Sequence, residues 1–178
     1  MADADRGIPI FVFAPFVAST MRVEPAWIDY NGHMNMAYYL VLFDRAVDEA
    51  FEVVGLGQDY LESRGASYFT AEIHTRYLRE LSVGTAVRTT VQLIDYDQKR
   101  IQAYFEIRHL EEGWTAATCE KLFLHVDMAS RKVAPFPADI LAGLATLKAA
   151  HGRLPRPAAL GRCVSFEPQV AAPSRTQH

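Results

Sequence analysis

From Met36 to Val54 the chain reads MAYYLVLFDRAVDEAFEVV, and its first eight residues carry no charge. Asn35 stands where a helix N-cap belongs and Gly55 where a helix stops. Later in the run Asp44, Asp48 and Glu52 recur every four residues, with Arg45 and Glu49 beside them. Tyr39, Leu40, Phe43, Ala46, Val47, Ala50, Phe51 and Val54 fall on the opposite face. A helix whose first two turns are apolar all round has to be enclosed, entering a core by its N-terminal end. Whatever else the chain builds must wrap it.

The downstream sequence supplies the wrapping. QDYLESRG reads as a short helix or turn closed by Gly65, and four strand-like runs follow at 67–79, 86–95, 100–111 and 114–126. The turn signals SVGT, YDQK and EEG separate these runs, so successive runs are expected to pair antiparallel. Residues 16–25 predict a first strand ended by Pro25, and PADILAGLATLKAAHG predicts a final helix. One strand, a long enclosed helix and four long antiparallel strands are satisfied by an α+β hotdog fold, a curled antiparallel sheet wrapped around one long buried helix. At 178 residues the chain suits one domain, expected over residues 1–153. The Pro/Ala-rich stretch 154–178 is expected to pack loosely or not at all. Sheet edges and an open face need covering, so a homodimer or tetramer is expected.

Composition narrows the function classes. A net charge of −3 with scattered Lys and Arg gives no footing for nucleic acid. The apolar run IPIFVFAPFVA is too short to span a bilayer and is interrupted by Pro9 and Pro15, while MADADRG ahead of it lacks the positive leader of a signal peptide. That run is expected to lie extended on a sheet edge or a subunit contact, and the protein to be cytoplasmic without a membrane association. Cys119 and Cys163 have no metal-like spacing, and His74, His109 and His125 fall on expected strands without a paired ligand. No metal or cofactor is expected, and no G-x-S-x-G elbow supports a serine hydrolase.

The chemistry concentrates in WIDYNGHMN, Trp27 to Asn35, directly before the helix. A helix N-terminus exposes unpaired N–H groups and partial positive charge, which suits an oxyanion at Asn35, Met36 and Ala37. Asp29 lies just ahead, where a carboxylate acts as base or nucleophile. Gly32 permits a sharp turn, and Asn31 and His33 supply donors and acceptors. The alternative is purely local: Asn35 caps, Asp29 makes an Asx-turn, and His33 is a satisfied polar residue. For any one residue that alternative would win; the combination at the start of a buried helix favours a reaction site.

DYNGHMNMAYYLVLFDRA resembles the signature of acyl-CoA thioesterases of the 4-hydroxybenzoyl-CoA thioesterase type. D-x-N-x-H-x-N also resembles plant acyl-carrier-protein thioesterases, whose next strand ends in Y-R-R-E; here that element reads YLRE, Tyr77 to Glu80, after a segment of different length. The resemblance implies Asp29 as catalytic carboxylate, Asn31 and His33 as site residues and Glu80 as a further acid. A more specific likeness, carried by WIDYNGHMNMAYYL, YLREL, EEGWTAAT and LHVD…RKVAPFP, is to betainyl-CoA thioesterases, which accompany or are fused to L-carnitine dehydrogenase. It implies an acyl-CoA substrate with a trimethylammonium group and a functional link to that dehydrogenase. The rings expected to hold such a cation are Trp27, Tyr30, Tyr38, Tyr39 and Tyr68. Arg79, Lys99, Arg100, Arg131 and Lys132 are the candidates for the CoA phosphates. A generic short- or medium-chain thioesterase, a hydratase of the same fold, and a non-catalytic acyl-CoA-binding protein are the other readings. The hydratases carry a motif like D-x-N-P-x-H, and this chain has neither that proline nor that spacing.

Overall fold

Helix α1 (Met36–Glu52) begins at the expected cap: the Asn35 side chain accepts the Ala37 N–H at 3.0 Å. In the computed structural model, which describes residues 13–166, α1 buries Tyr39, Leu42, Phe43, Ala46, Val47, Ala50 and Phe51 and exposes Asp44, Asp48 and Glu52. Phe43 meets Phe105 edge-on at 5.9 Å, and Phe51 meets Phe123 and Tyr68 at 5.1 and 4.8 Å. Burying each such side chain contributes roughly 1.5–3 kcal/mol. The first turn departs from expectation. Met36 is 62% exposed and Ala37 is exposed, so enclosure begins only at Tyr39. That turn sits at the margin of the sheet, where the Tyr77 hydroxyl donates to the Met36 carbonyl at 3.2 Å.

The sheet contains β1 (Phe16–Val17), β2 (Met21–Arg22), β3 (Ala66–Tyr77), β4 (Ala86–Tyr96), β5 (Arg100–His109), β6 (Thr115–Asp127) and β7 (Lys132–Val133). All pairings are antiparallel, in the order β1-β4-β5-β6-β3, with β2 also on β4 and β7 on β6. Among the described residues a 3-10 turn (Pro25–Trp27) and helices α2 (Gln58–Arg64) and α3 (Ala138–His151) are the remaining elements, and Gly65 closes α2 in the left-handed conformation, φ 60°. This is the hotdog arrangement, a curled sheet packed around α1. No helix among the described residues is long and apolar enough to cross a membrane.

Two expectations are corrected. The runs that became β3 and β4 do not pair with each other, although β4–β5 and β5–β6 do. Residues 78–85 are a crossing rather than a hairpin. The Leu78 and Arg79 N–H groups both donate to Ala116 O, at 2.8 and 3.0 Å, and buried Leu81 accepts the Met34 N–H at 2.8 Å. Held at both places, the connection passes the start of α1 and delivers β4 to the far side of the sheet, while β3 adds to β6. The expected strand at 16–25 is also two short pieces. Both the N–H and the hydroxyl of Ser19 bond Glu49 Oε2, at 2.8 and 3.0 Å, which draws the chain off the ladder between β1 and β2. The register with β4 slips by one residue there, from Phe16↔Val91 to Met21↔Val87.

Of the apolar run 8–18, residues 8–12 lie outside the described residues; Phe16 and Val17 cover the edge of β4. Beyond α3, residues 153–166 form no helix or strand; they touch the sheet at two points and are exposed from Gly161 on. Gln92 Nε2 donates to Pro155 O at 3.4 Å and the Gly161 N–H to Glu120 Oε2 at 2.7 Å.

Candidate active site

The stretch Trp27 to Asn35 folds into a closed loop. Ile28 and Met34 form an isolated antiparallel bridge, the Asp29 N–H donates to His33 O at 3.1 Å, and the Asn35 N–H donates to Trp27 O at 2.9 Å. Inside the loop the Gly32 N–H donates to Asp29 O, and Gly32 adopts φ 86°, a conformation glycine reaches without a Cβ penalty. Asp29 Oδ1 accepts the Asn31 N–H at 2.8 Å, the Asx-turn of the local reading, and Oδ2 takes no part in that bond. The cap and the Asx-turn are both present. They build the loop that presents Asp29 and His33 beside the first turn of α1.

A cavity of about 530 Å³ opens there, lined by Asp29, Tyr30, His33, Met34, Asn35, Met36, Tyr39, Tyr77, Leu78, Arg79 and Glu80. His33 Nε2 lies 3.5 Å from Glu80 Oε1, so the acid from the segment after β3 meets the imidazole from the loop before α1. The rings of Tyr39 and Tyr77 stand at 80° with centroids 5.1 Å apart. Burial, with the Glu80 carboxylate adding to it, pushes the Tyr39 hydroxyl above the usual phenol range, and burial does the same to Tyr77. Both phenols are therefore neutral and serve as donors: Tyr39 to Arg79 O at 3.5 Å, Tyr77 to Met36 O.

The cavity brings together Asp29, His33, Asn35, Met36, Tyr30, Tyr39, Arg79 and Glu80 from the sequence reading. Asn31 uses its backbone in the Asx-turn and does not line the cavity. Ala37 does not line it either, and its N–H is taken by the Asn35 cap. Trp27 is buried and stacked on Tyr38 at 5.4 Å, with the Arg45 guanidinium 5.6 Å from the Trp27 ring, so this pair is engaged elsewhere. Tyr68 donates to Asp48 at 2.6 Å in a separate cavity along with Asp44 and Glu52; burial and then the Asp48 bond push its hydroxyl up. Lys99 lies in the β4–β5 turn and Arg100 opens β5, clamping Asp97 at 2.6 Å, while Arg131 lies in the β6–β7 turn and Lys132 opens β7. Both turns are at the Ala66 end of β3, the opposite end from Tyr77. Sequence reasoning missed three lining residues, Met34, Leu78 and, the most informative, Tyr77. Its signal was available: it closes the inward-facing series of the strand, two residues before Arg79.

A family model described as the thioesterase-like superfamily matches residues 23–144. The chain belongs to the thioesterase-like superfamily. Among curated thioesterase relatives, an L-carnitine dehydrogenase/betainyl-CoA thioesterase of Rhizobium meliloti (strain 1021) is 41% identical over 143 residues, 80% of this chain and 29% of that protein. This thioesterase-like chain therefore spans less than a third of that relative's length. A betainyl-CoA thioesterase of Pseudomonas aeruginosa is 35% identical over 82% of this chain and 92% of its own. Of solved structures, a Staphylococcus aureus protein in complex with CoA superposes with a TM-score of 0.80 at 28% identity, covering 88% of this chain and 98% of that one. A 1,4-dihydroxy-2-naphthoyl-CoA thioesterase from Synechocystis reaches 0.67 at 16% identity over 76% and 98%, a likeness of fold.

Proposed function

We propose that this thioesterase-like protein hydrolyses a short acyl-CoA and that the acyl group is betainyl. The observation that carries the first half is the meeting of Asp29 and the N-terminus of α1 in one cavity. With Ala37 committed to the cap, the Met36 N–H is the donor left for the thioester carbonyl oxygen, where negative charge develops in the transition state. Asp29 takes a proton from water as the water oxygen bonds to the carbonyl carbon, or attacks that carbon itself. In the first case the carbon–sulfur bond then breaks, the proton held by Asp29 passes to the sulfur, and the free acid and the CoA thiol leave. In the second, breaking that bond expels the CoA thiolate and leaves a mixed anhydride on Asp29, which water hydrolyses to the free acid. His33 and Glu80 orient the water and relay the proton. The betainyl half is supported by the names of two relatives at 35–41% identity and by a cavity that carries two carboxylates and aromatic rings.

The reading includes a homodimer or tetramer. Strand β3 ends the sheet order and exposes Phe69 and Ile73, an apolar edge that a second copy covers. A two-fold pairing of β3 with itself runs antiparallel, so the Ala66 end of one copy approaches the Tyr77 end of the other. Lys99, Arg100, Arg131 and Lys132 would then serve the neighbouring cavity as CoA phosphate partners, with Arg79 in cis. We also place the protein in the cytoplasm and in functional partnership with an L-carnitine dehydrogenase.

The test is a thiol-release assay over betainyl-CoA, its uncharged tert-butylacetyl analogue and long fatty acyl-CoAs. Preference for betainyl-CoA is expected. Equal turnover of the charged and neutral thioesters would leave a generic thioesterase, and no release from any would leave a binding protein.

A further inference from the structure

We infer that the corner between Tyr39 and Tyr77 is the subsite for the trimethylammonium group, and that Tyr77 is a specificity-determining residue. The inference rests on betainyl-CoA being the substrate. In a betainyl thioester a single methylene separates the quaternary nitrogen from the carbonyl carbon. The cation therefore has to sit beside the oxyanion position, within the first turn of α1. This distance decides among the aromatic rings. Tyr68 is bonded to Asp48, twelve positions beyond Met36, which at 1.5 Å per residue is about 18 Å down the helix axis. Trp27 and Tyr38 spend their facing surfaces on each other at an interplanar angle of 11°. Tyr30 is 97% exposed and contributes only a rim.

Tyr39 and Tyr77 meet the requirement. Tyr39 belongs to the first turn of α1, and the Tyr77 hydroxyl is bonded to the Met36 carbonyl. Both line the cavity: Tyr39 is buried and stands at 80° to Tyr77, and Tyr77, 43% exposed, is the ring of the pair open to a ligand. A tetrahedral trimethylammonium group has no N–H to donate and is held by an aromatic face through the ring quadrupole. The nearby charges agree in sign. Asp29 and Glu80 line the cavity, and the one cation lining it among the described residues, Arg79, has its guanidinium drawn 4.2 Å over the Trp114 ring.

The experiment compares kcat/KM for betainyl-CoA with that for tert-butylacetyl-CoA in the full chain, in Tyr77→Leu and in Tyr77→Phe. Tyr77 is 43% exposed, and folding of each variant is checked by circular dichroism. The charged-to-neutral ratio should fall roughly tenfold to thirtyfold in Tyr77→Leu, the worth of a desolvated cation–π contact, and should persist in Tyr77→Phe, which keeps the ring. Inhibition by free glycine betaine supplies a second readout and should weaken in Tyr77→Leu alone. If the wild-type ratio is near one, the substrate reading itself falls and this subsite with it. If the wild type prefers betainyl-CoA and Tyr77→Leu retains that ratio and that inhibition, the substrate reading stands and the assignment of Tyr77 is overturned.

Discussion

His33 Nε2 and Glu80 Oε1 stand 3.5 Å apart, next to the Met34–Leu81 backbone bond that ties the same two segments. His33 arrives on the loop before α1 and Glu80 on the connection after β3. Asp29, on the same loop as His33, is the carboxylate of the proposed mechanism. Asp29→Asn keeps the Asx acceptor to the Asn31 N–H and removes the base, so kcat should fall about a hundredfold or more with the fold intact. Glu80→Gln, which acts through His33, should cost less, about tenfold. Steady-state thiol release on folded variants checks both, and a near-normal kcat in Asp29→Asn would remove Asp29 from the chemistry.

The loop that presents Asp29 depends on Gly32 at φ 86°. A Cβ there meets no neighbour, so the cost of Gly32→Ala is conformational rather than steric crowding. About 1–2 kcal/mol of lost stability is expected. If the loop relaxes to relieve that strain, Asp29 moves and kcat falls along with Tm. Thermal melts beside kinetics measure the two effects; an unchanged Tm would show that the loop does not need the left-handed residue.

Stability should depend on pH through His151. Its Nδ1 accepts the Leu93 N–H at 2.8 Å and its Nε2 donates to Phe13 O at 2.9 Å, which fixes a neutral ring. Burial pushes its pKa below the usual histidine value. The unfolded chain therefore binds the proton first, so this contribution is full above an unfolded pKa of about 6.5 and is lost as pH falls through that value and the lower folded one. His151→Ala should cost about 1–3 kcal/mol at pH 8 by orphaning the Leu93 N–H. It should also flatten the fall of Tm between pH 7 and 5. A variant whose Tm follows pH as steeply as the wild type would dismiss this linkage.

Lys121 is buried between Phe105 and Phe123, with its ammonium 3.5 Å from the exposed Asp44. Removing an ammonium from water is costly, and one long, half-exposed ion pair recovers little of that cost. Lys121→Met, which fills the same space without charge, should leave Tm unchanged or raise it by an amount worth about 1–2 kcal/mol. Lys121→Ala leaves a hole and should lower it. Calorimetry on the two variants separates charge from volume; a large loss in Lys121→Met would mean that the ammonium holds the helix to the sheet.

The helix, its cap, the four long strands and the loop that carries Asp29 and His33 to the cavity were legible because each is written locally, in periodicity or in adjacent residues. The sheet order was not. Nothing in SVGT distinguishes a hairpin from a crossing, and what decides it is the contact of Leu81 with Met34 and of Leu78 and Arg79 with Ala116, made across long separations. The same limit applies to the rings. Trp27, Tyr38 and Tyr68 are close to the motif in sequence or in residue type, yet packing spends them elsewhere, whereas Tyr77 reaches the cavity only because β3 lies on β6.

That pairing sets the moment at which the site comes into being. Tyr77 is aligned by Ala117, and the segment carrying Arg79 and Glu80 is pinned by the Ala116 carbonyl, both from a strand made long after the loop. A nascent chain that has emerged through residue 110 already contains every residue that lines the cavity, and it has no cavity. The pocket must wait for a long-range closure of the kind that makes non-local sheets slow to fold. Catalytic competence is consequently a property of the finished sheet, and the appearance of thiol release during refolding would time the docking of β3 onto β6.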